Sequence, residues 1–594
     1  MSQDIWKMDL GANSDPGGAI SRERAAGAWQ AVDYELEEGP GVMLFAFPGS
    51  GAPPLTIRLG AKGWHAIRLG IYYGGGAGFV FNRVLCARLS GETGFSRICL
   101  ENFRPEKDGE YPDKIVTWSN VSEVFWKCAD LTGEDLIIAH PGRGQMAESE
   151  TNLAYLRLVP MDESAMGEWR SEQPNERTKR LLANYDGGNI NQWGVQTRED
   201  FLGEFECLRN TDFEAVLYAV SYGALTFYPS KVGEMVALDH RPPRRMGHYL
   251  HQALKDGVDP LEAAIDAAHE CGVKLFPQNR FIGPNLPPEH SVQDHGGRFF
   301  TEHPEWRCRY PDGSPIRHLS VAYPGVREFY VRLLREWAED YKADGINLLF
   351  NRSWPLAYYE EPVCQAFQEQ YGQDLRRLQS PQVHAGVDRM SMDGPDLFFN
   401  FVKGEDERAQ RIRAGFVTRF LREIRSMLDE VGQKQDRYIP TCYIVMNTVS
   451  QCLSGAMDVA TWIKEGLVDY LVVPMAQGPQ YDGELVRSQV SQFARLAEGS
   501  RTKIYPDVAP RRMPPRRYLE TAVECYGAGA EGLAFWDSYN RYYRAGEWAF
   551  VKRLGHMEEL SRWKGKGDDY SLIRPLKSLD GYLMGRVYSQ PTDG

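Results

Sequence analysis

The sequence predicts a (β/α)8 TIM barrel preceded by an all-β sandwich of jelly-roll type. Three observations carry this. Between about residues 20 and 160, short apolar segments alternate with Gly, Pro, Asn and Asp turns. From Arg180 onward, eight near-continuous apolar strands alternate with amphipathic helical stretches. A chain of 594 residues is also too long for one ordinary core.

In the first region the strand candidates include AWQAVDYELE, GVMLFAF, WHAIRLGIYY, FVFNRVLCARLS, EVFWKCADL and LAYLRLVP. We place this sandwich at residues 1–165. Polar 166–179, without a strand pattern, reads as a linker. The barrel spans 180–560. Its strands are RLLANYD (180–186), FEAVLYAVSY (213–222), VKLFPQNRF (273–281), GINLLFNR (345–352), YIPTCYIVMN (438–447), DYLVVPMAQ (469–477), KIYPDVAP (503–510) and GLAFWDSYN (532–540). Several intervening helices end at Gly just before the next strand, as helix C-termini do. Long insertions fall at 282–323 and 352–410. Residues 561–594 form an extension that offers a strand returning to the sandwich.

Composition narrows the function. The net charge is −13 with no Lys/Arg block, which argues against a nucleic-acid partner. The longest apolar runs are strand-length, so no membrane span is expected. The N-terminus lacks the pattern of a secretory signal. The ten Cys are scattered, with no C-x-x-C and no zinc spacing. These features predict a cytoplasmic protein with reduced thiols, unless a signal has been removed. No cofactor or metal is expected. The sequence leaves a homo-oligomer open. The glycine-rich YYGGGAGF (72–79) lies in the β-region and reads as a turn.

In a parallel barrel the C-terminal ends of the strands form the active-site mouth. Each strand here ends in polar and aromatic residues: Asn184, Tyr185 and Asp186; Tyr222; Gln278, Asn279 and Arg280; Asn351, Arg352 and Trp354; Tyr443 and Asn447; Gln477; Asp507 and Arg511; Trp536, Asp537, Tyr539 and Arg541. Amides and guanidiniums offer directional hydrogen bonds to hydroxyls. Trp and Tyr offer flat faces for sugar rings. There is no nucleophile elbow and no metal motif. Carboxylates in such a cleft are the chemistry of glycoside hydrolysis.

The run LSVAYPGVREFYVRLLREWAEDYKADGINLLFNR, then YYEEPVCQAFQEQYGQD, and GLAFWD at the last strand resemble the glycosyl-hydrolase-like family 10 proteins. This is a TIM-barrel group with bacterial members, and the resemblance covers roughly 180–560. It implies a carbohydrate-active barrel. Relatives often carry an Asp in the fourth-strand D-G-I-x-x-D pattern, where this chain has Leu349.

A glycosidase needs one protonated acid and one ionised carboxylate. The acid candidates are Glu360 and Glu361, beside Tyr358 and Tyr359, whose rings would exclude water. The nucleophile or base candidates are Asp507 and Asp537, kept ionised by Arg511, Arg512 or Arg541. Sugar-binding candidates are Tyr185, Asp186, Tyr222, Asn279, Arg280, Arg352, Trp354, Tyr443, Asn447, Gln477, Arg511, Trp536, Tyr539 and Arg541. The alternatives are a glycan-binding protein on a degenerate barrel, and a polysaccharide lyase or transglycosylase.

Overall fold

A computed structural model describes residues 3–72, 81–101, 120–238, 246–280, 293–351, 355–378, 406–475, 482–509, 511, 513–536, 541–542 and 544–579. Arg352, Trp354, Gln477, Arg512, Asp537 and Tyr539 lie outside the described residues, as does all of 72–79 except Tyr72.

Eight parallel strands close a barrel. They are strand one (Leu181–Tyr185), two (Phe213–Tyr222), three (Lys274–Arg280), four (Ile346–Leu349), five (Thr441–Ile444), six (Tyr470–Pro474), seven (Lys503–Asp507) and eight (Leu533–Trp536). Each pairs with its neighbours in chain order, and strand one closes the ring by pairing with both two and eight. Two short strands, Leu225–Thr226 and Glu234–Met235, continue from the tip of strand two. Strand side chains alternate between two faces. Leu182, Leu217, Phe276, Leu349, Ile444, Val472, Tyr505, Ala534 and Trp536 pack together inside the barrel. Their neighbours Ala183, Val216, Leu275, Leu348, Val445, Leu471, Ile504 and Phe535 face the helices, in the largest core.

Helices cover the strands from outside. Side chains cap several of them: Asp259 before Pro260–Glu270, Asp406 before Glu407–Gln435 and Asp482 before Gly483–Ala497. The insertion after strand three holds a hairpin, Arg307–Arg309 with Pro315–Leu319. It is laced to the loop after strand four: Val321 N–H donates to Leu356 O at 2.9 Å, and Tyr359 N–H to Arg309 O at 3.1 Å.

The N-terminal region is built of antiparallel sheets. Trp64–Tyr72 pairs with both Asn120–Asp130 and Tyr155–Pro160, and Trp29–Leu36 pairs with Gly39–Ala46. Its main core includes Trp29, Leu55, Ile57, Leu69, Leu85, Ile138 and Leu156. The polar stretch read as a linker starts inside a helix, Glu163–Ser171, capped by the Asp162 carboxylate. A side-chain cap lets a polar segment with little apolar periodicity still form a helix. Near the C-terminus, Ser571–Pro575 pairs antiparallel with Asn120–Asp130, and Ser578–Leu579 pairs with Trp29–Leu36. All ten cysteines are thiols rather than disulfides, and eight are buried. Among the described residues, no helix is long and apolar enough to cross a membrane.

Candidate active site

The C-terminal ends of the strands hold a polar layer above the apolar plug. By alternation, Asn184 shares the inward face of Leu182, Gln278 that of Phe276, and Asp507 that of Tyr505; Asn347 also faces inward but sits one inward position below Leu349, level with Cys442 in the plug. All four are buried. Asp507 accepts a hydrogen bond at Oδ1 from the Trp536 backbone N–H, at 2.8 Å. The first carboxylate of strand seven is thus docked on the tip of strand eight. The Arg511 guanidinium lies 6.0 Å from the Trp536 ring centre.

The amides of this layer are incompletely used. Among the described residues, neither amide atom of Gln278 has a hydrogen-bond partner, nor do Asn184 Oδ1, Asn347 Oδ1 and Asn351 Oδ1. Asn347 spends its Nδ2 on Cys442 O, at 3.1 Å. A buried polar group left unpaired costs about 1–3 kcal/mol, so this layer is suited to receive hydroxyl groups.

A second cluster stands at the tips of strands one to three. Arg280 Nη1 lies 3.7 Å from Asp186 Oδ2, and its guanidinium is 5.6 Å from the Tyr222 ring centre. The Tyr222 hydroxyl donates to the Asp186 carbonyl at 2.6 Å. Asn279 braces rather than lines the mouth: its amide donates to Ser221 Oγ at 2.6 Å and to Gly223 O at 2.8 Å. Asn447 is buried just past strand five. The alternation is broken before it, since Val445 and Met446 both pack outward.

Three further expected sugar contacts point elsewhere. Tyr185 and Tyr443 face the helices, one residue out of phase with Asn184 and Ile444. Tyr185 donates to Glu204 O at 2.9 Å and stacks on Phe205. The Tyr443 ring packs 5.5 Å from Phe350 and 6.0 Å from Trp462. Arg541 is buried and ties strands seven and eight together, donating to Val508 O, Trp536 O and the Tyr518 hydroxyl at 2.6, 3.2 and 3.3 Å. A polar residue at a strand tip can face either way, and only its parity decides which.

The adjacent glutamates have opposite surroundings. Glu361 sits on the first turn of helix Glu361–Tyr371, with its side chain 60% exposed. Its carboxylate accepts from Arg376 at 2.9 Å, which holds it below the usual carboxylate range. That is the reverse of what a general acid needs. Glu360 is fully buried, and burial pushes its carboxyl up. It accepts from the Ser320 hydroxyl and from the Tyr358 N–H at 2.9 and 3.1 Å. Its partners therefore lie on the insertion after strand three and on its own loop, so it joins those two segments. Sequence reasoning missed Ser320, whose spacing to Glu360 carries no local signal.

Because the folded Glu360 carboxyl sits above its ordinary value of 4.5, the native state binds the extra proton. Its favourable contribution is complete below 4.5 and is lost as pH rises through the folded value. Glu360→Gln is therefore expected to flatten the fall in stability over that window, measured as the urea midpoint against pH. An unchanged slope would show that Glu360 does not titrate there.

Among the described residues, no group of three or more His, Cys, Asp or Glu side chains could hold a metal ion. The model of one family, glycosyl hydrolase-like 10, matches residues 188–517, more than half of the chain and six of the eight barrel strands. The chain belongs to the glycosyl hydrolase-like 10 family. The match takes in Gln278, Asn347, Glu360 and Asp507, whereas Asp186 and Trp536 fall outside it.

No curated protein matches this family member. Solved structures similar to it include the α-galactosidase TtGalA from Thermus thermophilus in complex with p-nitrophenyl α-D-galactopyranoside (11% identity, 89% of this chain and 94% of that one, TM-score 0.34). Others are the maltogenic α-amylase AmyB from Thermotoga neapolitana (10%, 64% and 76%, TM-score 0.33) and a cycloalternan-degrading enzyme from Trueperella pyogenes (10%, 91% and 81%, TM-score 0.34). Likenesses this weak carry no weight in assigning the site.

Proposed function

We propose that this glycosyl hydrolase-like 10 protein hydrolyses glycosidic bonds of a poly- or oligosaccharide at the C-terminal face of its barrel. The observation that carries the reading is Asp507. It is an inward-facing carboxylate at the end of strand seven, fixed on the backbone of Trp536 beside a layer of buried amides. Asp507 serves as nucleophile or base. Trp536 offers a face to a sugar ring, and Gln278 and Asn184 receive hydroxyls. Asp186 and Arg280 border the same mouth. The acid comes from Asp537 or Glu360. Glu360 has the raised carboxyl that the role requires, and Asp537 follows Trp536 directly in sequence.

One observation favours a second reading, glycan binding without catalysis. The inward positions of strand four are Asn347 and Leu349, so the strand itself carries no carboxylate and only its loop, at Glu360, could supply one. Product analysis on a panel of 4-nitrophenyl glycosides and neutral polysaccharides separates the two. Hydrolysis is expected to release nitrophenolate or new reducing ends. Retention on an immobilised polysaccharide with no product across the panel would replace hydrolysis with binding.

A further inference from the structure

The first loop of the mouth is held from outside the barrel. Asp186 and Gly187 lead into the six-residue helix Gly188–Trp193, which has no side-chain cap of its own. Six residues are too few for a helix to be stable alone. Asn189 within it is fully buried, and its amide donates to Glu204 and lies 3.3 Å from the Tyr218 hydroxyl. Glu204 is also fully buried, on helix Arg198–Phe205. Its other carboxylate oxygen accepts from Arg97, which comes from strand Ser96–Glu101 of the N-terminal β-region. The same guanidinium donates to Asp200 O at 3.1 Å and lies 4.3 Å from the Trp193 ring.

A second grip closes the far end of the helix. Gly144 of the β-region lies so near Gln192–Gly194 that a Cβ there would stand 2.2 Å from Gln192 O and 2.5 Å from Gly194 N. Its neighbour Arg143 donates to Gly194 O at 3.2 Å and pairs with Asp200.

We propose that Arg97 is a positioning residue of the barrel mouth: through Glu204, Asn189 and Trp193 it fixes the loop that begins at Asp186. The β-region is then a working part of the site rather than an appendage. The inference rests on the reading that the tip of strand one belongs to that site. Arg suits the task because one planar fork reaches a carboxylate and a carbonyl while its face covers an indole; a lysine ammonium cannot do all three.

The test uses the full chain. Arg97→Met combined with Glu204→Gln leaves no buried charge, and the new amide can still accept from Asn189. Arg97→Lys keeps the charge but loses the fork. Hydrogen exchange of peptides covering 186–194 is compared with that of peptides covering 503–507 and 533–536. Exchange in 186–194 is expected to quicken about tenfold in the double variant, less in Arg97→Lys, with the other two peptides unchanged. On a 4-nitrophenyl glycoside that the wild type hydrolyses, kcat is expected to fall about fivefold or more, and further than KM changes.

Exchange within about twofold of wild type overturns the proposal. So does faster exchange with unchanged kcat and KM. Asp186→Asn, assayed in parallel, tells the two kinds of failure apart. If it lowers turnover while the double variant does not, the loop matters and the grip does not. If neither lowers turnover, strand one is not part of the site. If the double variant does not fold, the exchange ratio of Arg97→Lys decides.

Discussion

Asp507→Asn is expected to lower kcat by about 10²- to 10⁴-fold, with a far smaller change in KM. The substitution keeps the shape of the side chain, and the new amide oxygen can still accept from the Trp536 N–H that now reaches Asp507 at 2.8 Å. What disappears is the negative charge. A nucleophile or base needs that charge when the glycosidic bond breaks, so the loss falls on the transition state rather than on binding. The proper comparison is with Glu361→Gln, whose carboxylate points to solvent and Arg376; that variant is expected to keep near-full turnover. Both are assayed on a glycoside that the wild type cleaves. If Asp507→Asn keeps more than about a tenth of kcat, the carboxylate does not act in the reaction.

Glu123→Ala is expected to cost about 3–5 kcal/mol of stability, the usual penalty for stripping one partner from a buried ionic cluster. Glu123 is fully buried in strand Asn120–Asp130. Arg157 donates to both of its oxygens, at 3.2 and 2.5 Å, and the Tyr155 hydroxyl to one at 3.0 Å. Arg68 and Arg574 approach to 3.7 and 3.5 Å. Arg574 lies on the C-terminal strand Ser571–Pro575, so this carboxylate also helps hold the chain end on the β-region. Its removal leaves three neighbouring guanidiniums with only their outer partners, Asp4 for Arg157, Asp569 for Arg68 and Glu38 for Arg574. The urea midpoint should fall, and proteolysis after residue 569 should quicken; an unchanged midpoint would show that the outer carboxylates alone balance the arginines. Burial pushes this carboxyl up, but the hydrogen bonds and charges of Arg157, Arg574 and Tyr155 outweigh it and hold it below 4.5. The cluster's contribution is therefore present above pH 4.5 and is lost as pH falls through the lower folded value. Glu123→Gln should flatten that acid limb.

Much of the architecture was legible in the chain. The switch near Arg180 from turn-punctuated strands to strands alternating with helices marks the start of the barrel, because a parallel sheet needs a helix on every crossover. Each of the eight apolar runs became a barrel strand. The apolar run of strand seven also put Asp507 at that strand's C-terminal end, where the structure has it. Segment 96–101 was not singled out as a strand, and the helix at 163–171 was hidden by its polar composition.

Tertiary structure decided the rest. Tyr185 and Asn184 are neighbours in sequence, yet one is stacked under a helix and the other faces the barrel interior, because a one-residue step reverses the side-chain direction. Glu360 and Glu361 are equally acidic in sequence. Only the fold buries the first against Ser320 and leaves the second beside Arg376, and so only the fold sets their carboxyls in opposite directions. The tie from Arg97 to Glu204 spans 107 positions between two regions of the chain. The apolar periods set which segments form strands and helices; hydrogen bonds across that distance depend on where the folded backbone brings two side chains together, and no local pattern encodes that.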